Sequence, residues 1–155
     1  MTPTYASNTD VSADRSRAEI ERTLQRYGAT SFAYGWQDDR AALGFSLNER
    51  QIRFILPMPN RNDKVFTHTP SRGNRRSETE ITRAYDQAVR QRWRALSLVI
   101  KAKLEAVESK IVTFEDEFAM HMVLPDGSRA GDAVVRAIDT AYATGSVAPM
   151  LAIGS

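Results

Sequence analysis

The chain contains no cysteine. Disulfides, thiolate zinc sites and cysteine nucleophiles are thereby excluded together, and a reducing compartment is the natural expectation. No stretch approaches the ~18 consecutive apolar residues of a membrane-spanning helix, so no membrane association is expected. Residues 1–10 are polar and lack an apolar core run, which argues against a secretory signal there and for a cytoplasmic location. The Gly-x4-Gly-Lys pattern of a phosphate-binding loop is missing, and Thr69-Pro70-Ser71-Arg72-Gly73 does not replace it. Ser71 lies close to His68, but no nucleophile elbow or triad context surrounds them. Histidine occurs twice and the net charge is only +2. What the charge can attract therefore depends on where it sits. There is no internal repeat and no low-complexity block.

What is present suits one folded domain. A length of 155 residues allows a substantial core, and 42% hydrophobic with 26% charged residues is ordinary for a globular protein. Residues 1–11 read as a flexible leader and 12–155 as a single domain. A first helix is expected from Ser12 or Ser16, the latter forming a capping box with Glu19, with Ile20, Leu24 and Tyr27 on one stripe and Gly28 as its stop. Three strands follow at 31–37, 40–47 and 51–56. Phe32, Tyr34 and Trp36 alternate in the first, Ala41, Leu43, Phe45 and Leu47 in the second, Ile52, Phe54 and Leu56 in the third. Turns at Asp38-Asp39 and Asn48-Glu49 make this an antiparallel meander with one buried face, and Pro57 and Pro59 end it. A long amphipathic helix is expected from Ser77 to about Ser109, opened by a second capping box with Glu80. Two short helices complete the chain, one capped by Thr113, the other over 131–143 with Val134, Ile138 and Ala141 inward. The fold class is α+β.

Cations concentrate in two neighbouring places. Residues 57–76 hold five, Arg61, Lys64, Arg72, Arg75 and Arg76, against one acid, an excess of +4. This glycine- and proline-containing segment reads as a flexible loop. On the long helix that follows, Arg83, Arg90, Arg94 and Lys101 recur at steps of 7, 4 and 7. At ~100° per residue they lie within roughly 40° of one another. A cationic row beside a cationic loop supplies what a polyanion backbone needs, sequence-independent and salt-dependent affinity. The bland alternative is a solvated helix face, with Glu80, Asp86, Glu105 and Glu108 diluting the row.

Other constellations are thinner. Arg92 and Lys103 fall on the apolar stripe and must snorkel, pair or face a groove rather than the core, with Glu115, Asp116 and Glu117 as candidate partners. The aromatic row of the first strand could stack on unpaired bases, but its opposite face, Ala33 and Gly35, is too thin to be the core side, which makes the aromatics the expected core face. Glu117 and His121, four apart on a helix, have a metal-ligand spacing that needs further ligands, such as Asp126 or Asp132. No metal, cofactor or catalytic residue is expected.

Several segments carry a resemblance: Ser16-Arg17-Ala18-Glu19-Ile20-Glu21-Arg22-Thr23-Leu24, Tyr34-Gly35-Trp36, the stretch from Phe66 through His68 to Gly73, Arg92-Trp93-Arg94-Ala95-Leu96, and Thr113-Phe114-Glu115-Asp116-Glu117-Phe118. Together they resemble an uncharacterised family of small phage- and prophage-encoded proteins. The resemblance implies a phage context in a host cell interior, and no catalytic residues to carry over. The element order is also similar to the core of single-strand annealing proteins, an analogy of architecture only. The leading expectation is a non-enzymatic accessory protein that binds nucleic acid, DNA favoured, with low sequence specificity. Arg61, Lys64, Arg72, Arg75, Arg76, Arg83, Arg90, Arg94 and Lys101 are its candidate contacts, and homo-oligomerisation is an open option. The alternatives are a protein-protein interaction module or inhibitor acting on a host protein, and a metal-dependent nuclease built on Glu117 and His121.

Overall fold

A computed structural model describes residues 4–37 and 39–147, with side chains from residue 13 onward. Residues 1–3 of the expected leader, Asp38 of the expected first turn and the tail from 148 lie outside the described residues. The elements run α1 (Thr4–Arg26), β1 (Ser31–Gln37), β2 (Arg40–Leu47), β3 (Arg50–Pro57), α2 (Lys64–Thr67), α3 (Glu78–Glu108), α4 (Phe114–Phe118), one 3-10 turn (Ala119–His121) and α5 (Ala130–Thr144). This is the expected α+β order, with the added turn of α2 inside the cationic segment. Among the described residues no helix is long and apolar enough to cross a membrane.

α1 starts earlier than expected. No glycine or proline lies between Thr4 and Ser12 to stop a helix, so Ser16 sits inside α1 and caps nothing. Its C-terminus does follow the expected signal. Gly28 takes φ +97°, its N–H donates to the Gln25 carbonyl, and the Ala29 N–H donates to the Leu24 carbonyl at 2.9 Å. This 6→1 and 5→2 pair is the Schellman closure that a left-handed residue makes possible.

The sheet order is β1-β2-β3, antiparallel throughout. Asn48 and Glu49 both have positive φ, the two-residue hairpin geometry whose twist matches the strands. In the register, Phe32, Tyr34 and Trp36 face Phe45, Leu43 and Ala41. One face of β2 and β3 packs against α1, α3 and α4 in a core of Ile20, Leu24, Leu43, Phe45, Ile52, Phe54, Trp93, Leu96, Ile100, Leu104, Phe114 and Phe118. Phe118 meets Phe45 and Phe54 edge-on, at 6.2 and 6.5 Å between centroids. These arrangements suit the ring quadrupole.

Two expectations about burial fail. The aromatic face of β1 is on the helix side as expected, yet Tyr34 is 46% and Trp36 78% exposed. The helices cover β2 and β3 and leave the far end of β1 open. In α5, only Gly131 is buried, and Ile138 is exposed. That helix docks through its first turn, where Gly131 lies against the Met120 carbonyl.

Candidate nucleic-acid interface

α3 is the rigid element of the site. Ser77 caps it, accepting from the Glu80 N–H at 3.3 Å while its hydroxyl donates to the Glu80 carboxylate at 3.1 Å. The helix then runs 31 residues, about 46 Å at ~1.5 Å each.

The expected loop is a built segment rather than an unstructured one. Phe66 is buried edge-on against Tyr85 at 5.8 Å, which fixes α2 to α3. Downstream, Thr69 N–H donates to the Asn74 carbonyl at 2.8 Å, Arg76 N–H to the Thr67 carbonyl at 2.7 Å, and Gly73 takes the left-handed φ of +67° that closes the turn. Three of its five cations serve this structure. Arg61 donates to Glu78 at 3.1 Å and to the Thr82 hydroxyl at 2.7 Å. Arg75 lies 3.9 Å from the other Glu78 oxygen. Arg76 is half-buried and reaches the Phe66 carbonyl at 3.5 Å. Lys64 and Arg72 are exposed.

The segment's anchors on α3 are Glu78, Thr82 and Tyr85. At ~100° per residue these lie roughly 100–160° around the helix from Arg83. The segment is therefore anchored on a different flank of α3 from the row.

The row finds a different companion. Arg90 and Arg94 line a polar groove of about 310 Å³ between α3 and α1, with Gln87, Gln91, Arg15 and Ser16. No acid lines it, and none of the three arginines forms an ion pair among the described residues. Arg83 and Lys101, both exposed, extend the row one seven-residue step beyond either side. From Arg83 to Lys101 is about 27 Å along the axis at ~1.5 Å per residue, close to eight duplex steps of ~3.4 Å. Arg15 was not legible as a site residue because its place beside Arg90 and Arg94 is set by how α1 packs on α3, not by a local pattern.

Asp86, expected to dilute the row, points to the other side of α1. It lines a separate groove of about 610 Å³ with Tyr34, Trp36, Tyr85, Trp93 and Arg17. The Arg17 guanidinium pairs with Asp14 and lies 4.2 Å from the Tyr34 ring centre and 5.0 Å from that of Trp93, within cation–π range of both.

The remaining candidates do not gather into a site. Lys103 Nζ donates to the Glu117 carboxylate at 3.2 Å and to its carbonyl at 3.4 Å, with both side chains about four-fifths buried. Arg92 is exposed. His121 stacks on Phe54 at 4.2 Å, and its buried Nδ1 has no hydrogen-bond partner among the described residues. Burial, then the Lys103 and Arg129 charges, push its pKa below the ordinary 6.5, against a smaller opposing pull from Glu117. Asp126 accepts from the Ser128 hydroxyl at 2.6 Å and N–H at 3.0 Å, which lowers its pKa, and Asp132 pairs with Arg129 at 2.8 Å. Glu117, His121, Asp126 and Asp132 are thus not gathered into a metal site. Among the described residues no group of three or more His, Asp or Glu could hold a metal ion. No family model, no curated protein and no solved structure matches this chain.

Proposed function

We propose that this protein binds the sugar-phosphate backbone of nucleic acid, without catalysis and with low sequence specificity. The observation that supports this reading is the convergence of Arg15, Arg90 and Arg94 on one groove lined by no acid among the described residues, continued along α3 by Arg83 and Lys101. The guanidinium groups of Arg15, Arg90 and Arg94, which form no ion pair among the described residues, suit phosphate oxygens, which they grip in a planar fork. Among the described residues no base-reading arrangement accompanies them, so affinity in this reading comes from charge and counterion release. Lys64 and Arg72 are peripheral contacts in this reading, while Arg61, Arg75 and Arg76 hold the cationic segment in shape. The resemblance to phage-encoded proteins is consistent with an accessory role on DNA.

The test is fluorescence anisotropy with labelled single- and double-stranded DNA across a salt series. Wild type should show a linear fall of log K with log[salt]. A triple Arg15→Ala, Arg90→Ala, Arg94→Ala variant should flatten that slope by about 0.7–0.9 for each phosphate no longer neutralised, about 2–3 in all. Absence of binding at low salt, or affinity indifferent to salt, would sink the reading. An acidic protein retained by wild type from nuclease-treated lysate, and not by the triple variant, would assign the groove to a protein partner instead.

A further inference from the structure

The free edge of β1 is the least protected feature of the fold. β1 is an end strand, and among the described residues nothing pairs with its outer side. The opposite end strand is covered, since Met122 bridges Ile52 and the Val123 N–H donates to the Gln51 carbonyl at 2.8 Å. Exposed edges are normally blunted by lysine, proline, a bulge or a covering segment, because their unpaired N–H and C=O groups template another strand. β1 reads Ser-Phe-Ala-Tyr-Gly-Trp-Gln and has neither charge nor proline. It pairs with β2 one to one over its whole length, without a bulge. Every residue but Phe32 is exposed.

We propose that this edge joins two copies of the chain, antiparallel about a twofold axis at Tyr34, into one six-stranded sheet. Directly opposed residues of an antiparallel pair share a face. Two identical sheets with their helices on the same side must therefore match even positions with even. Of the registers that do so, the one centred on Tyr34 uses all seven residues. Ser31 of one copy then lies opposite Gln37 of the other, Phe32 opposite Trp36, Ala33 opposite Gly35, and Tyr34 opposite its own equivalent. Aromatic cross-strand pairs meet on the helix side and small residues on the other, with no like charges opposed. The strand is thus complementary to itself, which favours a second copy over a foreign segment. At ~150–250 Å² per ring and the exposures above, the two Tyr34 and two Trp36 rings offer on the order of 500 Å². The remaining exposed strand surface of both copies supplies the rest of the ~1,000 Å² expected of a specific interface. Arg15, Arg90 and Arg94 take no part, so this proposal stands apart from the nucleic-acid reading.

Sedimentation equilibrium of wild type, Gly35→Lys and Ile138→Asp tests it. A Cβ on Gly35 meets nothing within 4 Å, so the monomer tolerates the lysine, and matched circular dichroism and melting confirm that it folds. Ile138 lies on the uncovered face of α5 and serves as the control surface. Wild type and Ile138→Asp should sediment at twice 17.3 kDa at concentrations where Gly35→Lys sediments at 17.3 kDa, its dissociation constant raised at least ~10-fold by the edge charge. Tyr34→Cys, in a chain with no other cysteine, should cross-link to its equivalent on oxidation, whereas Ile138→Cys should not. A wild type that is monomeric throughout, a Gly35→Lys dimer, or a dimer abolished by Ile138→Asp alone would overturn the proposal.

Discussion

Replacing Lys103 with methionine keeps most of the apolar stem and removes only the ammonium group. Lys103 and Glu117 are 22% and 23% exposed in their side chains, and Lys103 Nζ donates both to the Glu117 carboxylate and to its backbone carbonyl. Breaking a fully buried pair from one side costs ~3–5 kcal/mol, because the other charge is left desolvated. A solvent-exposed pair is worth ~0–1 kcal/mol. At about one-fifth exposure the cost of Lys103→Met falls between, near 2 kcal/mol. For a chain of this length that corresponds to a melting temperature lower by about 4–8 °C. Glu117→Gln alone should cost less, since the amide oxygen still accepts from Lys103. The double variant should be more stable than the two single losses summed, with a coupling of about 1 kcal/mol measured by urea denaturation of all four proteins. The same substitution has a second readout. Lys103 is one of the charges that lowers the His121 pKa, so Lys103→Met should raise that pKa in a proton NMR titration. Loss of less than about 0.5 kcal/mol together with strict additivity would show that α4 is held by phenylalanine packing alone.

Three further outcomes follow from the geometry. Stability should decline as pH falls below 6.5, because His121 in the folded state resists the proton that the unfolded chain accepts; His121→Phe should lose that part of the decline when urea midpoints are compared above and below pH 6.5. Gly131→Ala should destabilise by about 1–3 kcal/mol despite the better helix propensity of alanine, because the new methyl group is driven into the Met120 carbonyl; a stability gain on thermal melting would contradict that close approach. Glu49→Gly should instead stabilise by about 0.5–1 kcal/mol, since Glu49 holds φ +61° in the β2–β3 turn where glycine is unstrained; an unchanged or lower melting temperature would argue against that turn geometry.

Elements whose signals are local were legible in the chain. β1 and β2 match their expected bounds, because period-2 alternation between turn residues leaves little choice of register. The caps of α3 and α4 act as read, with Ser77 accepting from Glu80 and Thr113 accepting from Asp116. Gly28 ends α1 for a reason contained in glycine itself. The start of α1 was not legible, because Ser16 and Glu19 satisfy a capping pattern equally well inside a helix, where the pattern means nothing.

The residue chemistry of the candidate site was likewise written in the sequence, and its assembly was not. Periodicity put Arg83, Arg90, Arg94 and Lys101 on one side of a helix, since position along a helix fixes angle around it. Which neighbour that side meets depends on how α1 packs, and packing is set by long-range burial that no local pattern encodes. Tertiary structure therefore brought Arg15 to Arg90 and Arg94, turned Asp86 away to the aromatic groove, and committed Arg61 and Arg75 to Glu78. It also left Tyr34 and Trp36 open at the edge of β1. Alternation assigns a side chain to a face of the sheet, but only the placement of the helices decides how much of that face is covered.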